Sequence, residues 1–483
     1  MDWELFADIA YVVVIILASL HIIYNVRSNE KALAYVLLTI LLPFIGIAVY
    51  LAFGLNYRQN KLYSKKIIRD KRILDELQER ITIESEKAWN TQDPEIQKHK
   101  KLALYLLNDG MSPLSGNNKV ELLINGEEKF PALLEALQNA RHHIHIQYYI
   151  FENGDIAERI KDVLVQKAKE GVQVRFMYDD FGSRSIRKKF VRELKAGGVE
   201  AYPFYKIHFI LLANRVNFRN HRKIVVIDGC VGFTGGINVS DRYTNDPPEP
   251  GKLYWRDTHV KITGPGVYYL QYLFICDWNF CSGKALTLHP GYFCAQSPLN
   301  GNATVQVASS GPDSDLPTLM YSIGQVIGLA EKELLITTPY FIPGQNIMGA
   351  LHIAALSGVK IKLLVPFKSD SAIINTAARA NYAELLAAGV EIYQYTKGFM
   401  HAKTIVSDWQ LAIVGTANMD HRSFEMNFEV NCMIYDDNTA KKLRDDFYED
   451  LRSAEMIDPD TWNRRPWFKK FAEKFVSLFS PLL

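Results

Sequence analysis

The sequence has nearly equal numbers of basic and acidic residues, few cysteines and no Cys-x-x-Cys pair. Its 483 residues carry 55 lysines and arginines against 53 aspartates and glutamates, a net charge of +2, which argues against a nucleic-acid partner. The five cysteines are odd in number and none belongs to a Cys-x-x-Cys pair. We therefore predict reduced thiols and no structural zinc site. The length allows two to three domains.

Charge is also scarce in two long segments near the N-terminus. Ala32–Phe53 has no charged residue, and Leu5–Tyr24 has only Asp8 besides one histidine. Each is about long enough to cross a bilayer, which takes roughly 20 residues. We therefore predict two transmembrane helices within residues 1–56; a buried core hairpin is the alternative.

Basic residues on the two sides of the second segment predict its orientation. Two basic residues connect the segments, whereas seven follow the second one. The seven are Arg58, Lys61, Lys65, Lys66, Arg69, Lys71 and Arg72. Basic flanks remain in the cytoplasm, so we predict a multi-pass protein of the cell membrane whose downstream domain is cytoplasmic.

Two short stretches of the chain repeat each other. One runs from His221 to Asp228 and the other from His401 to Asp408; both read H-x-K-x-x-x-x-D and lie 180 positions apart. An asparagine follows each histidine by 17 positions, at Asn238 and Asn418. Chance rarely produces both coincidences, so the pattern indicates an internal duplication.

The residue types in the motif suit phosphate chemistry. Both motifs run into β-branched and apolar residues that predict strands, and residues two apart on a strand share a face. Each histidine is thus expected beside the following lysine, Lys223 or Lys403, where the ammonium binds a phosphate and the imidazole attacks it or carries a proton. Such a site needs no metal and no other cofactor. We interpret Asp228 and Asp408 as strand-end groups that support the site.

The chain resembles the phospholipase D superfamily in these duplicated motifs and, more narrowly, its bacterial cardiolipin synthases. The resemblance extends to Asn220–Lys223, Gly235–Asn238, Trp255–Asp257, Ser310–Asp313, Arg422–Phe424, Asn427–Glu429 and Ser480–Leu483. It implies an α/β fold of two similar phospholipase D-type halves, each a mixed sheet flanked by helices. The halves would share one active site and follow the N-terminal transmembrane helical hairpin.

The predicted organisation has five segments. They are the transmembrane pair at 1–56, a charged helical connector at 57–117, the first half at 118–300, the second half at 301–463 and an amphipathic tail at 464–483. An insertion at 206–216 precedes the first motif and is either a lipid-facing loop or ordinary core. In the tail, aromatic residues such as Trp467 and Phe471 recur at helical spacing among lysines, which predicts a helix on the membrane surface; a helix packed on the catalytic domain is the alternative.

Aligning the repeats identifies groups that support the histidines. Asp257 and Glu429 fall at equivalent positions, and the resemblance points to the same pair as the acceptors that orient the imidazoles. Surface carboxylates at strand ends are the alternative. Asn238 and Asn418 resemble the family's phosphate-contacting positions, and the glycines before them would let the backbone approach that phosphate.

The resemblance implies a cardiolipin synthase, in which two phosphatidylglycerol molecules give cardiolipin and glycerol through a phosphatidyl-histidine. A hydrolytic phospholipase D or another phosphatidyltransferase of the superfamily is the alternative; a nuclease and a non-enzymatic membrane scaffold fit less well. The expected partners are phospholipids and the membrane, and the oligomeric state stays open. The more basic surround of His221, with Arg219 and Arg222, and the family pattern favour His221 as nucleophile and His401 as general acid.

Overall fold

The computed structural model describes residues 3–26, 29–51, 94–205, 218–246, 251–294 and 301–480, with residue 248 and scattered residues between 66 and 89. The chain divides into a small unit that includes residues 1–68 and a large unit that holds the rest of the described chain. The predicted insertion at 206–216 and much of the connector lie outside the described residues.

The described part of the small unit contains three helices, α1 Trp3–Asn25, α2 Asn29–Leu41 and α3 Pro43–Val49. Among the described helices only α1, over Phe6–Asn25, is long and apolar enough to cross a membrane. The predicted second span is not one continuous helix, because the chain breaks at Leu42 (φ −138°, ψ 72°). Pro43 has no N–H and drives the residue before it out of the helical region. A histidine of α1, His21, bonds Tyr50 (Nδ1 to Oη 2.7 Å) and so ties α1 to the end of the broken segment.

The large unit carries two sets of strands. The first set is β1 Ser115–Ile124, β2 His143–Tyr148, β3 Gln173–Tyr178, β4 Glu200–Pro203, β5 Ile224–Ile227, β6 Val231–Gly235, β7 Tyr254–Arg256 and β8 Thr258–Thr263. The second is β9 Ala303–Ser310, β10 Glu333–Thr337, β11 Phe341–Ile342, β12 Lys360–Pro366, β13 Glu391–Tyr395, β14 Gly398–Met400, β15 Thr404–Ser407, β16 Leu411–Gly415, β17 Met419–Asp420, β18 Glu429–Tyr435 and β19 Ala454–Met456. β1 begins before the predicted domain boundary at residue 118.

The described helices of the large unit accompany both sets of strands. Those of the connector and first half are α4 Pro94–Lys98, α5 Lys100–Gly110, α6 Asn125–Gln138, α7 Asp155–Lys169, α8 Lys189–Ala196 and α9 Val267–Ser282. Those of the second half and tail are α10 Thr318–Leu329, α11 Gly344–Leu356, α12 Ala372–Arg379, α13 Tyr382–Ala387, α14 His421–Glu425, α15 Asp437–Leu451, α16 Pro459–Asn463 and α17 Trp467–Ser477.

The strand order confirms the two-half fold. Fifteen strands form one hydrogen-bonded sheet in the order β19-β13-β12-β10-β15-β16-β18-β9-β1-β8-β6-β5-β2-β3-β4. The run from β1 to β4 matches the run from β9 to β13 strand for strand, and β19 adds an outer edge. In each half three strands pair in parallel and the others antiparallel, so the sheet is mixed. The antiparallel pairing of β1 with β9 joins the halves.

Three hydrophobic cores hold the large unit together. An outer core lies between the first half's sheet and α6, α7 and α8, and another lies between the second half's sheet and α10 to α13. A central core combines residues of both sheets, such as Val226 and Val406, with α9 and α15. Side chains alternate along β5, with Ile224 and Val226 in the central core and Val225 and Ile227 in the outer one. The halves therefore face each other across the central core.

The prediction of reduced thiols is wrong for two of the five cysteines. Cys230 and Cys294 form a disulfide with a Cα–Cα distance of 4.8 Å. Cys230 lies in the turn after β5, where Gly229 adopts a φ of +69°. A Cβ on Gly229 would come within 2.5 Å of the carbonyl oxygen of Tyr292. This close approach, open only to glycine, brings Cys294 beside the turn.

Candidate active site

The two motifs occupy equivalent places in the two halves. His221 and Lys223 immediately precede β5, and His401 and Lys403 immediately precede β15; all four side chains are buried. The strands therefore begin one residue after each lysine. Lys223 Nζ donates to the carbonyl oxygen of His221 at 2.8 Å, and Lys403 Nζ makes the same bond to His401. Each lysine thus braces the backbone of its own histidine.

Each histidine is held by a carboxylate from the other half. His221 Nδ1 donates to Glu429 Oε2 at 2.9 Å, and His401 Nδ1 donates to Asp257 Oδ2 at 2.6 Å. Both carboxylates were predicted from the repeat, and the structure brings each of them to the opposite motif. A carboxylate on Nδ1 fixes the imidazole tautomer and leaves Nε2 for chemistry.

Backbone pairing between the halves produces this crossed arrangement. β7 runs parallel to β14 with Trp255 opposite Phe399, which sets Asp257 beside His401. In the reciprocal position, Phe428 accepts the backbone N–H of His221 at 2.9 Å. The segment that leads into each histidine therefore pairs with the segment that leads into its carboxylate.

Further hydrogen bonds hold Glu429 in place. Thr416 Oγ1 donates to Glu429 Oε2 at 2.5 Å, and Asn427 Nδ2 donates to Oε1 at 3.3 Å. With His221, three donors meet one carboxylate. These bonds fix the orientation of the carboxylate toward the imidazole of His221.

The glycines that follow the two motifs allow close packing beneath the site. A Cβ on Gly236 would lie 2.0 Å from Asp257 Oδ1, and a Cβ on Gly415 would lie 1.9 Å from Asn431 Oδ1. Gly235, at φ +142°, would similarly meet His259. These glycines thus make room for the carboxylate and the side chains beneath the site. Their approach to a phosphate stays a prediction.

The two motifs share one electrostatic environment. Burial, with Lys403, lowers the pKa of His401 to about 4, and Lys223 contributes to the lowering. Burial also lowers the pKa of His221, helped by both lysines and opposed by Glu429. Because both lysines act on both histidines, the motifs form one site.

Burial also acts on the two motif lysines. It lowers the pKa of Lys223 to about 7 and that of Lys403 to about 8, although Glu429 and Asp257 oppose the lowering at both. The positive charge of Lys403 further lowers the pKa of Lys223. Two neighbouring cations in a buried site bind an anionic phosphate strongly.

The two predicted phosphate asparagines differ in their contacts. Asn238 Nδ2 donates to Tyr243 Oη at 3.0 Å, and Asn238 Oδ1 accepts the N–H of Ile150 at 3.3 Å. Tyr243 Oη in turn lies 3.3 Å from His401 Nδ1. Asn418 Oδ1 is buried and has no hydrogen-bond partner among the described residues. The structure thus ties Asn238 to the protein and leaves an acceptor of Asn418 unused.

Two residues at the site carry no recognisable sequence signal. Tyr243 lies in a short 3₁₀ turn, Asp241–Tyr243, and no pattern marks it. Lys129 lies on α6, where a lysine side chain would normally be exposed to solvent. Its Nζ is instead buried, 3.4 Å from the carbonyl oxygens of Ile237 and Asn238. Burial lowers the pKa of Lys129 well below its ordinary value.

The motif aspartates lie at the far ends of their strands. Asp228, at φ +51°, accepts the backbone N–H groups of Arg141, His142 and His143 at 2.8–2.9 Å. Asp408, at φ +49°, accepts those of residues 331, 332 and 333 and the Nζ of Lys98 at 2.8 Å. Each therefore ties its turn to the start of the neighbouring strand, β2 or β10. Across the described residues, no group of three or more histidine, cysteine, aspartate or glutamate side chains could hold a metal ion.

Comparison with known proteins identifies relatives over nearly the whole chain. A family model described as cardiolipin synthase, PLD-like domain, matches residues 133–250 and 323–451, and one described as phospholipase D-nuclease N-terminal matches residues 13–54. A cardiolipin synthase of Geobacillus sp. strain WCH70 is 41% identical over 91% of this chain and 86% of its own length. The major cardiolipin synthase ClsA of Bacillus subtilis strain 168 is 38% identical over 98% of both chains.

A solved structure shares the fold. The crystal structure of a phosphatidylserine synthase from Haemophilus influenzae Rd KW20 superposes with a TM-score of 0.60 at 15% identity, covering 80% of this chain and all of that one. The duplicated motifs, the two-half sheet and the matches across both halves agree. The chain belongs to the cardiolipin synthase family of the phospholipase D superfamily.

Proposed function

We propose that this protein is a membrane phosphatidyltransferase that joins two phosphatidylglycerol molecules into cardiolipin and releases glycerol. The observation that carries the proposal is one buried site with two crossed histidine–carboxylate pairs and two lysines. The relatives' names supply the product. The substrate follows from the product, because cardiolipin is two phosphatidyl groups on one glycerol.

In the first half-reaction His221 Nε2 attacks the phosphorus of one lipid. A P–N bond forms, the P–O bond to the glycerol headgroup breaks, and His401 gives its proton to the departing oxygen. The pKa of His401 is about 4 without substrate, and the negative charge of the bound phosphate raises it so that the ring can carry this proton. Lys223 and Lys403 neutralise the phosphate oxygens.

In the second half-reaction the acceptor is a hydroxyl of the second lipid's glycerol headgroup. Neutral His401 takes its proton, the oxygen attacks phosphorus, and the P–N bond to His221 breaks. Glu429 and Asp257 stabilise the positive charge that each imidazole carries in turn. Burial of both rings restricts water, which would otherwise hydrolyse the intermediate to phosphatidic acid.

The test uses the purified full chain with labelled phosphatidylglycerol and mass spectrometry of the products. We expect cardiolipin and glycerol in equal amounts. Phosphatidic acid as the main product would instead support the hydrolytic alternative. The choice of His221 as nucleophile rests on the family pattern, and a phosphatidyl adduct trapped on His401 would reverse it.

We also propose that the chain crosses the membrane twice and carries its catalytic unit on the cytoplasmic side. The seven basic residues after the second apolar segment support this orientation. The disulfide between Cys230 and Cys294 favours an oxidising compartment instead. Labelling intact cells with a membrane-impermeant lysine reagent distinguishes the two: catalytic-unit lysines should be protected until the membrane is opened, and labelling in sealed cells would reverse the orientation.

A further inference from the structure

The C-terminal helix α17 exposes its aromatic residues to solvent. Trp467, Phe471 and Phe475 are 77%, 63% and 52% exposed, and Phe479 continues the series one turn on. Their ring centroids lie 6.5, 6.3 and 5.7 Å apart along the helix. These four residues, which we call the aromatic stripe, form one continuous apolar surface.

The opposite face of α17 is polar and buried. Glu473 is only 7% exposed, and Arg465 binds its carboxylate with two hydrogen bonds of 2.7 and 3.0 Å. α17 packs on α12, and Val476 of α17 contacts the outer core of the second half. The helix is therefore attached to the domain without the aromatic stripe, so packing on the domain does not explain why four large rings occur at that spacing. Exposed apolar surface of this kind marks an interaction site.

The charges beside the stripe indicate what covers it. Lys469 and Lys474 are exposed on α17 next to the rings, whereas Lys470 donates to the carbonyl oxygen of Asn463. Tryptophan and phenylalanine with flanking lysines are typical of helices that lie in the interface of an anionic bilayer. The chain also has a helix able to cross a membrane.

The surface next to the stripe leads towards the active site. The first turn of α12, on which α17 packs, carries Ile373, which is 58% exposed. Asp370, in the turn before α12, accepts a hydrogen bond from Tyr340 Oη at 2.7 Å. Tyr340 directly precedes β11, which pairs with β17 immediately after Asn418, so this turn lies at the edge of the site.

We propose that the aromatic stripe and Ile373 form a docking surface for an anionic phospholipid bilayer, which holds the edge of the active site at the membrane. The rings enter the headgroup–acyl boundary, and Lys469 and Lys474 contact lipid phosphates. Lipid headgroups then reach the site from the Asp370 side. This inference rests on the proposed function only for the claim that the lipid is also the substrate.

One experiment measures the position of a stripe residue directly. The full chain is placed in nanodiscs that contain phosphatidylglycerol, with or without a nitroxide on the upper part of the acyl chain. Wild type should lose more tryptophan fluorescence to the nitroxide than Trp467→Phe does. Equal loss in the two proteins would place Trp467 outside the bilayer and overturn the proposal.

A second experiment separates docking from chemistry. Phe471→Ser/Phe475→Ser should turn over long-chain phosphatidylglycerol in vesicles roughly tenfold more slowly, since two aromatic side chains lose apolar burial. Turnover of a water-soluble short-chain phosphatidylglycerol should match wild type. The control, Leu316→Ser/Tyr321→Ser, removes exposed apolar side chains elsewhere and should match wild type on both substrates.

The outcomes of the second experiment are distinct. Wild-type rates for the stripe variant in vesicles would overturn the docking surface. Inactivity of the wild type itself on both substrates would overturn the proposed function and leave the fluorescence result standing. If the stripe variant instead converts a dimer to a monomer in size-exclusion chromatography with light scattering, a second copy of the chain covers the stripe and the membrane proposal is wrong.

Discussion

Glu429→Gln should slow attack by His221 about 100-fold while leaving the role of His401 intact. The carboxylate accepts three hydrogen bonds, from His221, Thr416 and Asn427. Glutamine offers one oxygen and one NH₂ group, so at least one of these donors would face another donor. The substitution also removes the negative charge that stabilises the cationic phosphatidyl-imidazole.

The expected magnitude follows from the geometry. A hydrogen bond between charged groups, here 2.9 Å long between His221 and Glu429, contributes about 1.5–3 kcal/mol. At about 1.4 kcal/mol per factor of ten, loss of the upper part of this range corresponds to the roughly 100-fold effect. The reduction should fall on the attack rate and not on substrate binding, because the positive charge develops only during attack.

The assay isolates attack by using a His401→Ala background and a phosphatidyl ester of p-nitrophenol. This leaving group departs without a proton, so His401→Ala should still release one equivalent of nitrophenol in a rapid burst. Adding Glu429→Gln should slow the burst, whereas adding the matched Asp257→Asn should leave it within about threefold of the background, since of the two histidines Asp257 bonds only the missing one.

Two results would refute this reasoning. Slowing by Asp257→Asn but not by Glu429→Gln would mean that the crossed pairs do not act in attack. A burst in His221→Ala together with none in His401→Ala would reverse the two histidines' roles.

Three further predictions concern stability, pH and metals. Burial opposes ionisation of Asp408, but Lys98 and three backbone N–H groups hold the pKa of its carboxyl below the ordinary value. The stabilisation that ionised Asp408 provides is therefore present above about pH 4 and is lost as the pH falls further. Asp408→Ala should lower the free energy of unfolding by about 3 kcal/mol in denaturant titrations at neutral pH, and a change near zero would be inconsistent with these bonds. The pKa values of about 7 for Lys223 and about 8 for Lys403 place the alkaline limb of kcat/KM for the free enzyme in that range, because deprotonated lysines bind phosphate poorly. Lys223 loses its proton first, so Lys223→Arg should move the limb to higher pH, toward the pKa of Lys403, and an unmoved limb would assign it to another group. Turnover should survive a chelator because two ammonium groups neutralise the phosphate; loss that one particular divalent ion restores, after cation effects on lipid packing are excluded, would contradict this.

Local patterns in the sequence predict much of the fold and the site. The β-branched runs after His221 and His401 predict β5 and β15, and the duplication predicts two equivalent halves. The same alignment identifies Asp257 and Glu429 as a pair. The alignment cannot say which histidine each carboxylate binds, because the two carboxylates are equivalent whether each binds the histidine of its own half or that of the other half. The pairing of β7 with β14 decides this.

Other features depend on contacts that no local pattern reveals. The disulfide joins cysteines 64 residues apart in sequence. Lys129 is buried because the segment with Ile237 and Asn238, about 108 positions later, covers its side chain. The break at Leu42 does have a local signal in Pro43, which average hydrophobicity over the segment conceals. For α17 the spacing predicts an amphipathic helix, but only the burial of Glu473 and the packing of Val476 on the second-half core show which face is attached.

The crossed histidine–carboxylate pairs constrain how this duplicated chain can change over time. A substitution near Asp257 in the first half alters the ring of His401 in the second, and one near Glu429 alters His221. Neither half can therefore diverge as a separate module, because each inherits the consequences of the other's mutations. By the same geometry, a single half would gain a carboxylate for its histidine only by assembling with a second copy of itself. Fusion of two copies into one chain would make permanent a dimer that the active site already required.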